Sequence, residues 1–568
     1  MMTDNKNTSI NIHPMNSVTS SNLNIHNNLN SNLNNSTVNN MADYLSITAR
    51  CIPDKIALTC GSSTFTFEQL DIYSDNLAGH FYQRGLKRGD RLVCCSGNTW
   101  QSVVCFWAAL KAGVVISLVA DDISLRNLKY ILSDSGATFL VASSFNTNKK
   151  DVNPINIMEE LLAIDSLSFI ISTEKINDDI SQSIFNFEDA IKHGASHFVS
   201  GCLDIDLAAI IYTSGSTGEP KGVMLTHRNM ITATDSLNHY LNYTSDDVVL
   251  SVLPLSFDYG LYQMIMSVAV GARLILEKDF TWPILTLKKI ETEKVTILPI
   301  VPTIVILFED CASRINVNLS SVRLMSNTGA EVNKKHLDII ANRFPNAHMF
   351  SMYGLTECKR CSYLSPQDLV KKPGSVGIAI PNTEIWILDE SGNQLAPNQM
   401  GEIVIRGGTV MKGYWRKPEQ TAKKLKDGPI PGEKVLHTGD YGVKDQDGYL
   451  YFKGRMDEVL KCRGMKVSPL EVEGFLMSIE GVKEAAIVGV HDDIQDHILH
   501  AFVAHEMTIS NPIEHILQRC QQGLPPNKCP SNITLLKQLP KTTNGKIDKQ
   551  TLGSSLTLAE LELNTRDK

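Results

Sequence analysis

From Tyr44 onward the chain alternates short apolar runs with segments whose apolar residues recur every three or four positions. Ala57-Leu58-Thr59-Cys60 and Thr64-Phe65-Thr66-Phe67 read as strands. Residues 68–84 read as a helix with Leu70, Leu77 and Phe81 at helical spacing, and residues 89–95 open a further strand. A largely apolar helix at 103–113 leads into a strand at 114–119, and segments at 127–133, 138–142 and 169–173 continue the alternation up to Leu207-Ala208-Ala209-Ile210-Ile211. The pattern resumes with helices at 229–241 and 303–311 and strands at 248–253, 295–299, 322–326 and 347–351. Helices alternating with buried strands predict an α/β fold built on parallel sheets. Between Gly374 and Leu450 the period changes to short alternating segments such as Glu384-Ile385-Trp386-Ile387-Leu388, which suits a small antiparallel, barrel-like subdomain. Beyond residue 457 the order strand, helix, strand, strand (459–461, 469–478, 482–490, 500–505) predicts a small α+β C-terminal domain.

Length and composition sharpen this outline. A chain of 568 residues exceeds one ordinary core, so several domains are expected. Residues 1–40 are dominated by Asn and Ser with a single Lys, and read as a disordered tail rather than a targeting peptide, with Met41 as a second candidate start. The expected division is 41–456 for a large domain, 457–552 for a small one and 553–568 for a C-terminal tail. A net charge of -8 without a basic block gives no support for a nucleic-acid surface, and Lys111 interrupts the longest apolar stretch, so no membrane span is predicted. The twelve cysteines are scattered and suit a reduced, cytoplasmic protein; Cys358 and Cys361 have Cys-x-x-Cys spacing but no second pair at zinc-site distance, and read as unlinked thiols.

Candidate chemistry lies in the loops that follow apolar strands, where open α/β sheets place their ligands. Thr213-Ser214-Gly215-Ser216-Thr217-Gly218-Glu219-Pro220-Lys221-Gly222 holds four hydroxyls, three glycines and a lysine. Its glycines let backbone N–H groups turn toward a polyphosphate, and Lys221 adds a point charge. It is not a Walker loop, because Pro220 and Gly222 flank the lysine. Alone, such a composition favours a flexible surface loop. Further loops carry Pro254-Leu255-Ser256-Phe257-Asp258-Tyr259-Gly260, Gly329-Ala330-Glu331 and Tyr353-Gly354-Leu355-Thr356-Glu357.

These loops, with His437-Thr438-Gly439-Asp440, Gly454-Arg455-Met456-Asp457 through Gly464, and Pro540-Lys541-Thr542-Thr543-Asn544-Gly545-Lys546, resemble in order and spacing the adenylate-forming enzymes: acyl- and aryl-CoA ligases, luciferases and the adenylation domains of nonribosomal peptide synthetases. The resemblance spans about residues 45–550 and implies ATP, Mg²⁺ and CoA, or a phosphopantetheinyl carrier protein, as reactants. It implies that Thr213, Ser214, Gly215, Ser216, Thr217, Gly218 and Lys221 hold the β- and γ-phosphates, that Thr356 meets the α-phosphate, and that Glu357 ligates Mg²⁺. Gly329, Ala330, Glu331 and Tyr353 would line the adenine slot, while Asp440 and Arg455 would bind the ribose. Lys546 would reach the acid's carboxylate in the first half-reaction. A swing of a mobile C-terminal domain about the hinge Asp457 would then replace it with the face carrying Lys461 and Gly464, which borders the thiol channel.

Phe257, Asp258 and Gly260 fall in the substrate-pocket loop. Phe257 stands where simple acyl-CoA ligases usually carry His, and Phe257-Asp258 is similar to the pair in amino-acid adenylation domains, whose aspartate meets an ammonium; Gly260 departs from the Ser found there. The implied reaction is activation of a carboxylic acid as its acyl-AMP followed by transfer to CoA, with a stand-alone amino-acid adenylating enzyme serving a carrier protein as the alternative. A catalytically inactive relative is disfavoured by the joint presence of Lys221, Glu357, Asp440, Arg455 and Lys546.

Overall fold

The computed structural model describes residues 38–143, 154–176, 182–192, 201–213, 219–312, 314–329, 332–456, 458–462, 465–492, 496–506, 511–541 and 547–556. The chain divides into two compact units, 1–325 with 338–347, and 326–337 with 348–568.

The first unit carries the predicted α/β pattern. In one of its sheets the strands Ile297–Ile300, Val248–Ser251, Arg273–Leu276 and Ile56–Cys60 are parallel neighbours in that order, with Ser63–Thr66 added antiparallel as the second arm of a hairpin. In another, Leu207–Thr213, Val115–Leu118, Arg91–Cys95, Phe139–Ala142, Phe169–Ser172 and Ile184–Asn186 run parallel, and Lys221–Thr226 pairs antiparallel with the first of them. These strands read as continuous apolar runs because helices cover both faces of such sheets. The returning strand Lys221–Thr226 is not visible as a period-two pattern, since Lys221-Gly222 belongs equally to the loop before it.

Two helices show how sequence sets the packing. Phe67–Gln83 opens on a reciprocal cap in which Thr66 accepts from the Gln69 N–H and the Gln69 side chain accepts from the Thr66 N–H. Trp100–Lys111 is apolar nearly all round and buried from Ser102 to Lys111, as a helix without a polar face must be. It begins three residues before the predicted start because the Thr99 hydroxyl caps it, accepting from the Ser102 N–H. The Lys111 ammonium is buried with it and bonds Asp71 Oδ1 at 2.6 Å and Asp75 Oδ1 at 2.7 Å, both on Phe67–Gln83.

The second unit holds the expected antiparallel elements. Thr383–Leu388, Gly401–Gly407, Lys434–Lys444 and Leu425–Asp427 are successive antiparallel neighbours, and Leu450–Arg455 pairs with Lys434–Lys444. His348–Tyr353, Ser362–Leu364 and Ile378–Ala379 form a second antiparallel set. In the C-terminal part, Val482–Asp492 and Asp496–His505 make a long hairpin that Asn532–Leu536 joins in parallel. The helices Pro469–Met477 and Pro512–Gly523 contribute Val472, Leu476, Ile516 and Cys520 to a core with Ile487, Leu499 and Val503. The strand predicted near 459–461 is one arm of a small hairpin, Leu460–Cys462 against Met465–Val467, whose three-residue arms are too short to display alternation.

All twelve cysteines are free thiols, Cys358 and Cys361 among them, and no helix among the described residues is long and apolar enough to cross a membrane. Most of the 1–40 segment and residues 557–568 lie outside the described residues.

Removing the Lys111 ammonium leaves two carboxylates facing a buried position with no cation between them. Lys111→Ala should destabilise the protein by about 3–5 kcal/mol, the usual cost of breaking a buried ion pair from one side. Chemical denaturation of the two proteins checks this, and a change under 1 kcal/mol would contradict it.

Candidate active site

In the second unit, the elements around the Lys434–Lys444 strand bring together a buried carboxylate and the groups that hold it. Asp440 is 1 % exposed. Its Oδ2 accepts from the Tyr353 hydroxyl at 2.6 Å, and its Oδ1 lies 3.3 Å from Arg455 Nη1 without accepting a hydrogen bond among the described residues. The register explains the encounter, since Asp440 is directly opposite Arg455 on the neighbouring strand and Tyr353 is the last residue of His348–Tyr353. Tyr353 also packs against Phe452, with ring centroids 5.5 Å apart.

The backbone at Asp440 is fixed by a second carboxylate. Glu402 takes the His437 ring Nδ1 at 2.8 Å on one oxygen and the Gly439 N–H at 3.0 Å on the other. The Gly439 carbonyl accepts from the Met456 N–H at 2.8 Å, and the Thr438 hydroxyl accepts from the Asp440 N–H at 3.1 Å. Gly439 has φ +76°, and a Cβ there would sit 2.6 Å from Lys424 Nζ. Glycine is therefore required both for its left-handed conformation and for the space taken by the lysine.

The electrostatics follow from burial. Burial pushes the Asp440 carboxyl above the ordinary aspartate range, against the opposing effects of the Tyr353 hydrogen bond and the nearby Arg455 and Lys424 charges. Burial lowers the Lys424 ammonium, as does Arg455, while Glu357, Asp440 and Glu402 pull the other way. For Glu402, burial acts upward, but the His437 hydrogen bond and charge and the Gly439 N–H outweigh it, and its carboxyl lies below the ordinary value.

The Tyr353-to-Glu357 loop belongs to the same unit. The Glu357 carboxylate accepts from the Tyr414 hydroxyl at 2.7 Å, and its carbonyl accepts from the Met411 N–H at 2.8 Å. Burial followed by the Glu357 charge raises the Tyr414 phenol, so it stays a hydrogen-bond donor. A carboxylate held through one oxygen keeps acceptor capacity for a hard cation, so Glu357 fits a Mg²⁺ ligand by donor type. The open Oδ1 of a buried Asp440 likewise fits a pair of ribose hydroxyls, which would supply the hydrogen bonds it lacks. Gly329 has φ +83° with nothing within 4 Å of a would-be Cβ, so the chain there presents bare backbone.

The remaining candidates are placed as follows. In the first unit Thr213 ends one strand and Lys221 begins the next, directly paired, so the two ends of the phosphate-loop candidate lie side by side. Gly222 is fixed by packing, since a Cβ would meet Ile210 at 2.6 Å and the Tyr212 ring at 3.2 Å. Phe257 is 45 % exposed and precedes the helix Asp258–Val270, whose first residue, Asp258, is 3 % exposed. A carboxylate in the first turn also suits the positive end of the helix dipole. Gly260 has a packing reason, since a Cβ there would lie 2.3 Å from the Pro254 carbonyl oxygen. A small cavity nearby is lined by Phe106, Ile116, Ala209, Ile211, Leu255 and Ser256 among others. Ser214, Gly215, Ser216, Thr217, Gly218, Ala330, Glu331, Asp457, Gly464 and Lys546 lie outside the described residues, and Lys461 is placed only as part of the Leu460–Cys462 strand. Tyr414, Lys424 and Glu402 were not visible as candidates in the sequence. His437 was, through its place two residues before Gly439.

Residues 45–415 match the family model for the AMP-binding enzyme, and residues 471–546 that for the AMP-binding enzyme C-terminal domain. The chain is 29% identical over 536 residues to a long-chain-fatty-acid–CoA ligase of Bacillus subtilis (strain 168), covering 90% of this chain and 94% of that one. It is also 29% identical over 527 residues to 4-coumarate–CoA ligase 2 of Petroselinum crispum, covering 90% and 93%. Among solved structures it resembles ATP-bound MatB from Rhodopseudomonas palustris, with a TM-score of 0.79 and 25% identity over 91% of this chain and 99% of that one.

The Tyr353 hydrogen bond opposes the upward effect of burial on Asp440. Tyr353→Phe removes it, so the carboxylate should take up a proton at higher pH than in the parent protein. ATP binding followed across acidic pH should therefore fail earlier in the variant, and affinity near neutrality should fall by about ten- to a hundredfold, in line with the ~1.5–3 kcal/mol of a hydrogen bond to a charged group. An acid limb that stays in place or moves to lower pH would contradict the assignment of Asp440 to the nucleotide.

Proposed function

The chain belongs to the AMP-binding enzyme family, and from that premise we propose that it converts a carboxylic acid to its acyl-adenylate with release of pyrophosphate and passes the acyl group to the thiol of CoA. The observation that carries this reading is the buried Asp440, open at Oδ1 and flanked by Arg455, in the same unit as the Thr356-Glu357 loop. The CoA-ligase names of the relatives support the choice of acceptor.

A carboxylate is a poor acyl donor because oxide is a poor leaving group. In the first half-reaction a carboxylate oxygen attacks the α-phosphorus of ATP; the new P–O bond forms as the bond to the β-phosphate bridge breaks, and pyrophosphate departs. Negative charge gathers on the phosphoryl oxygens, so the site needs cations and oriented donors rather than a covalent partner. Thr213 through Lys221 would steady the β- and γ-phosphates, Thr356 would donate to the α-phosphate, and Lys546 would bridge it and the incoming carboxylate. Glu357 would hold Mg²⁺, which offsets charge on the phosphate oxygens when bound. Tyr353 orients Asp440, which with Arg455 would fix the ribose and thereby the line of attack. In the second half-reaction the thiolate sulfur attacks the acyl carbon and AMP leaves with the bonding electrons. Lys546 must vacate the site first. A swing about Asp457, dividing 41–456 from 457–552, would bring in Lys461 and Gly464 beside the pantetheine arm.

The two half-reactions can be separated by experiment. Lys546→Ala should lose at least 100-fold in pyrophosphate release from acid and ATP, yet convert supplied acyl-adenylate and CoA to thioester at close to the parent rate. Equal loss of both steps would rule out the swing, and absence of pyrophosphate release from the parent enzyme with every acid supplied would rule out the reaction.

A further inference from the structure

One short helix is bonded to the supports of both carboxylates in the candidate site. Pro418–Lys424 begins on proline, which suits a first helical position, and Leu425 directly after it enters the sheet opposite Leu436. Thr421 and Lys424 stand three residues apart on this helix, so they share a face and are separated by about 4.5 Å along its axis. The Thr421 hydroxyl accepts from the Tyr414 N–H at 2.9 Å and donates to the Lys417 carbonyl at 2.9 Å. Tyr414 is buried, and its own hydroxyl is the donor to the Glu357 carboxylate. At the other end the Lys424 ammonium donates to the Thr438 carbonyl at 2.6 Å, beside the space a Gly439 side chain would fill. The Thr438 hydroxyl accepts from the Asp440 N–H and donates to the Ile403 carbonyl at 2.6 Å.

The helix therefore closes a chain of bonds, from Glu357 through Tyr414 to Thr421 on one side and from Lys424 through Thr438 to Asp440 on the other. A lysine at the end of a surface helix ordinarily keeps its ammonium in water. Lys424 is instead half-buried, and burial lowers its hold on a proton, so its bond to the Thr438 carbonyl is kept against a desolvation cost. In-line attack on the α-phosphorus of ATP requires the ribose and the metal-bound phosphates of one molecule to be held at a set separation. Asp440 and Glu357 come from different loops, and the helix is a spacer of fixed pitch between the groups that support them.

We propose that the helix Pro418–Lys424 is a brace that sets the separation between the metal carboxylate and the ribose carboxylate, with Thr421 and Lys424 as positioning residues for the adenylation step. This rests on the reading of the chain as an acid-activating ligase in which Glu357 serves Mg²⁺ and Asp440 the ribose. Thr421 acts on Glu357 through Tyr414, and Lys424 acts on Asp440 through the turn at Thr438 and Gly439. Neither residue needs to touch the nucleotide. Because alignment depends on both ends of one spacer, freeing either end loses it, and freeing the second adds little.

The test uses the full-length enzyme in two measurements: pyrophosphate release with the acid it turns over best from a panel of aliphatic, aromatic, dicarboxylic and amino acids, and calorimetric binding of AMP and ATP without acid. Thr421→Val and Lys424→Met should each lower kcat about tenfold, and the double variant should fall no more than about threefold below the poorer single one. Mg²⁺ should tighten ATP binding at least fivefold in the parent but less than twofold in Thr421→Val, which should still bind AMP within twofold of the parent. Lys424→Met should weaken AMP about tenfold. Thr421→Ser keeps the hydroxyl and should restore both the rate and the Mg²⁺ effect. Losses that multiply in the double variant overturn the brace and leave the ligase reading intact, as do an undiminished Mg²⁺ effect in Thr421→Val or unchanged AMP binding in Lys424→Met. No pyrophosphate from the parent with any acid overturns both. Thr421→Ala deletes the same bond and decides the question if the valine variant does not fold.

Discussion

The second unit is organised around one carboxyl group, that of Asp440, held out of water. Burial raises its hold on a proton, and the structure opposes this with a phenol, a guanidinium and an ammonium drawn from three places: Tyr353 at a strand end, Arg455 on the neighbouring strand, and Lys424 at the end of a short helix. Each is itself constrained. Tyr353 is fixed by Phe452, and Lys424 donates to the Thr438 carbonyl at 2.6 Å through the space that Gly439 leaves open. Glu402 ties His437 and the Gly439 N–H into the same network. A buried carboxyl group so surrounded keeps one oxygen without a hydrogen bond among the described residues, a deficit that fits a ligand bringing donors.

The same network reaches the start of the C-terminal segment. Gly439 accepts from Met456, and Arg455 accepts through its carbonyl from the N–H groups of Glu458 and Val459. Arg455 therefore has two tasks: its side chain faces Asp440 and its backbone forms the turn that follows. If the C-terminal part swings about Asp457, the pivot adjoins the residue proposed to meet the ribose, so a link between the two would need only a single residue rather than a long relay.

Much of this was legible in the sequence, and what was not had physical reasons. The parallel sheets were readable because strands covered on both faces are apolar throughout, and the motif loops because glycine and hydroxyl clusters punctuate strand ends. The strand Lys221–Thr226 was hidden by the loop it continues, and the helix Trp100–Lys111 began early because its signal was the single cap residue Thr99. Of the candidate site, Tyr353, Glu357, Asp440 and Arg455 could be named from their motifs. Tyr414 and Lys424 could not, since each sits in an ordinary local context and gains meaning only through what lies opposite it in space. Gly260 illustrates the reverse: its departure from the serine pattern looked like a pocket feature, and the structure supplies a packing reason in the Pro254 carbonyl.

The loop from Tyr353 to Ser362 concentrates these themes in eight intervening residues. Its first half carries the groups assigned to the α-phosphate and the metal, and its second half the buried Lys359 and Arg360, with Gly354 and Lys359 in direct backbone contact between the halves. Glu357 is tied through Tyr414 and Met411, and Lys359 turns the chain back at a positive φ. A segment closed this way holds the Thr356-Glu357 half at a set position relative to the strand ends at Tyr353 and Ser362.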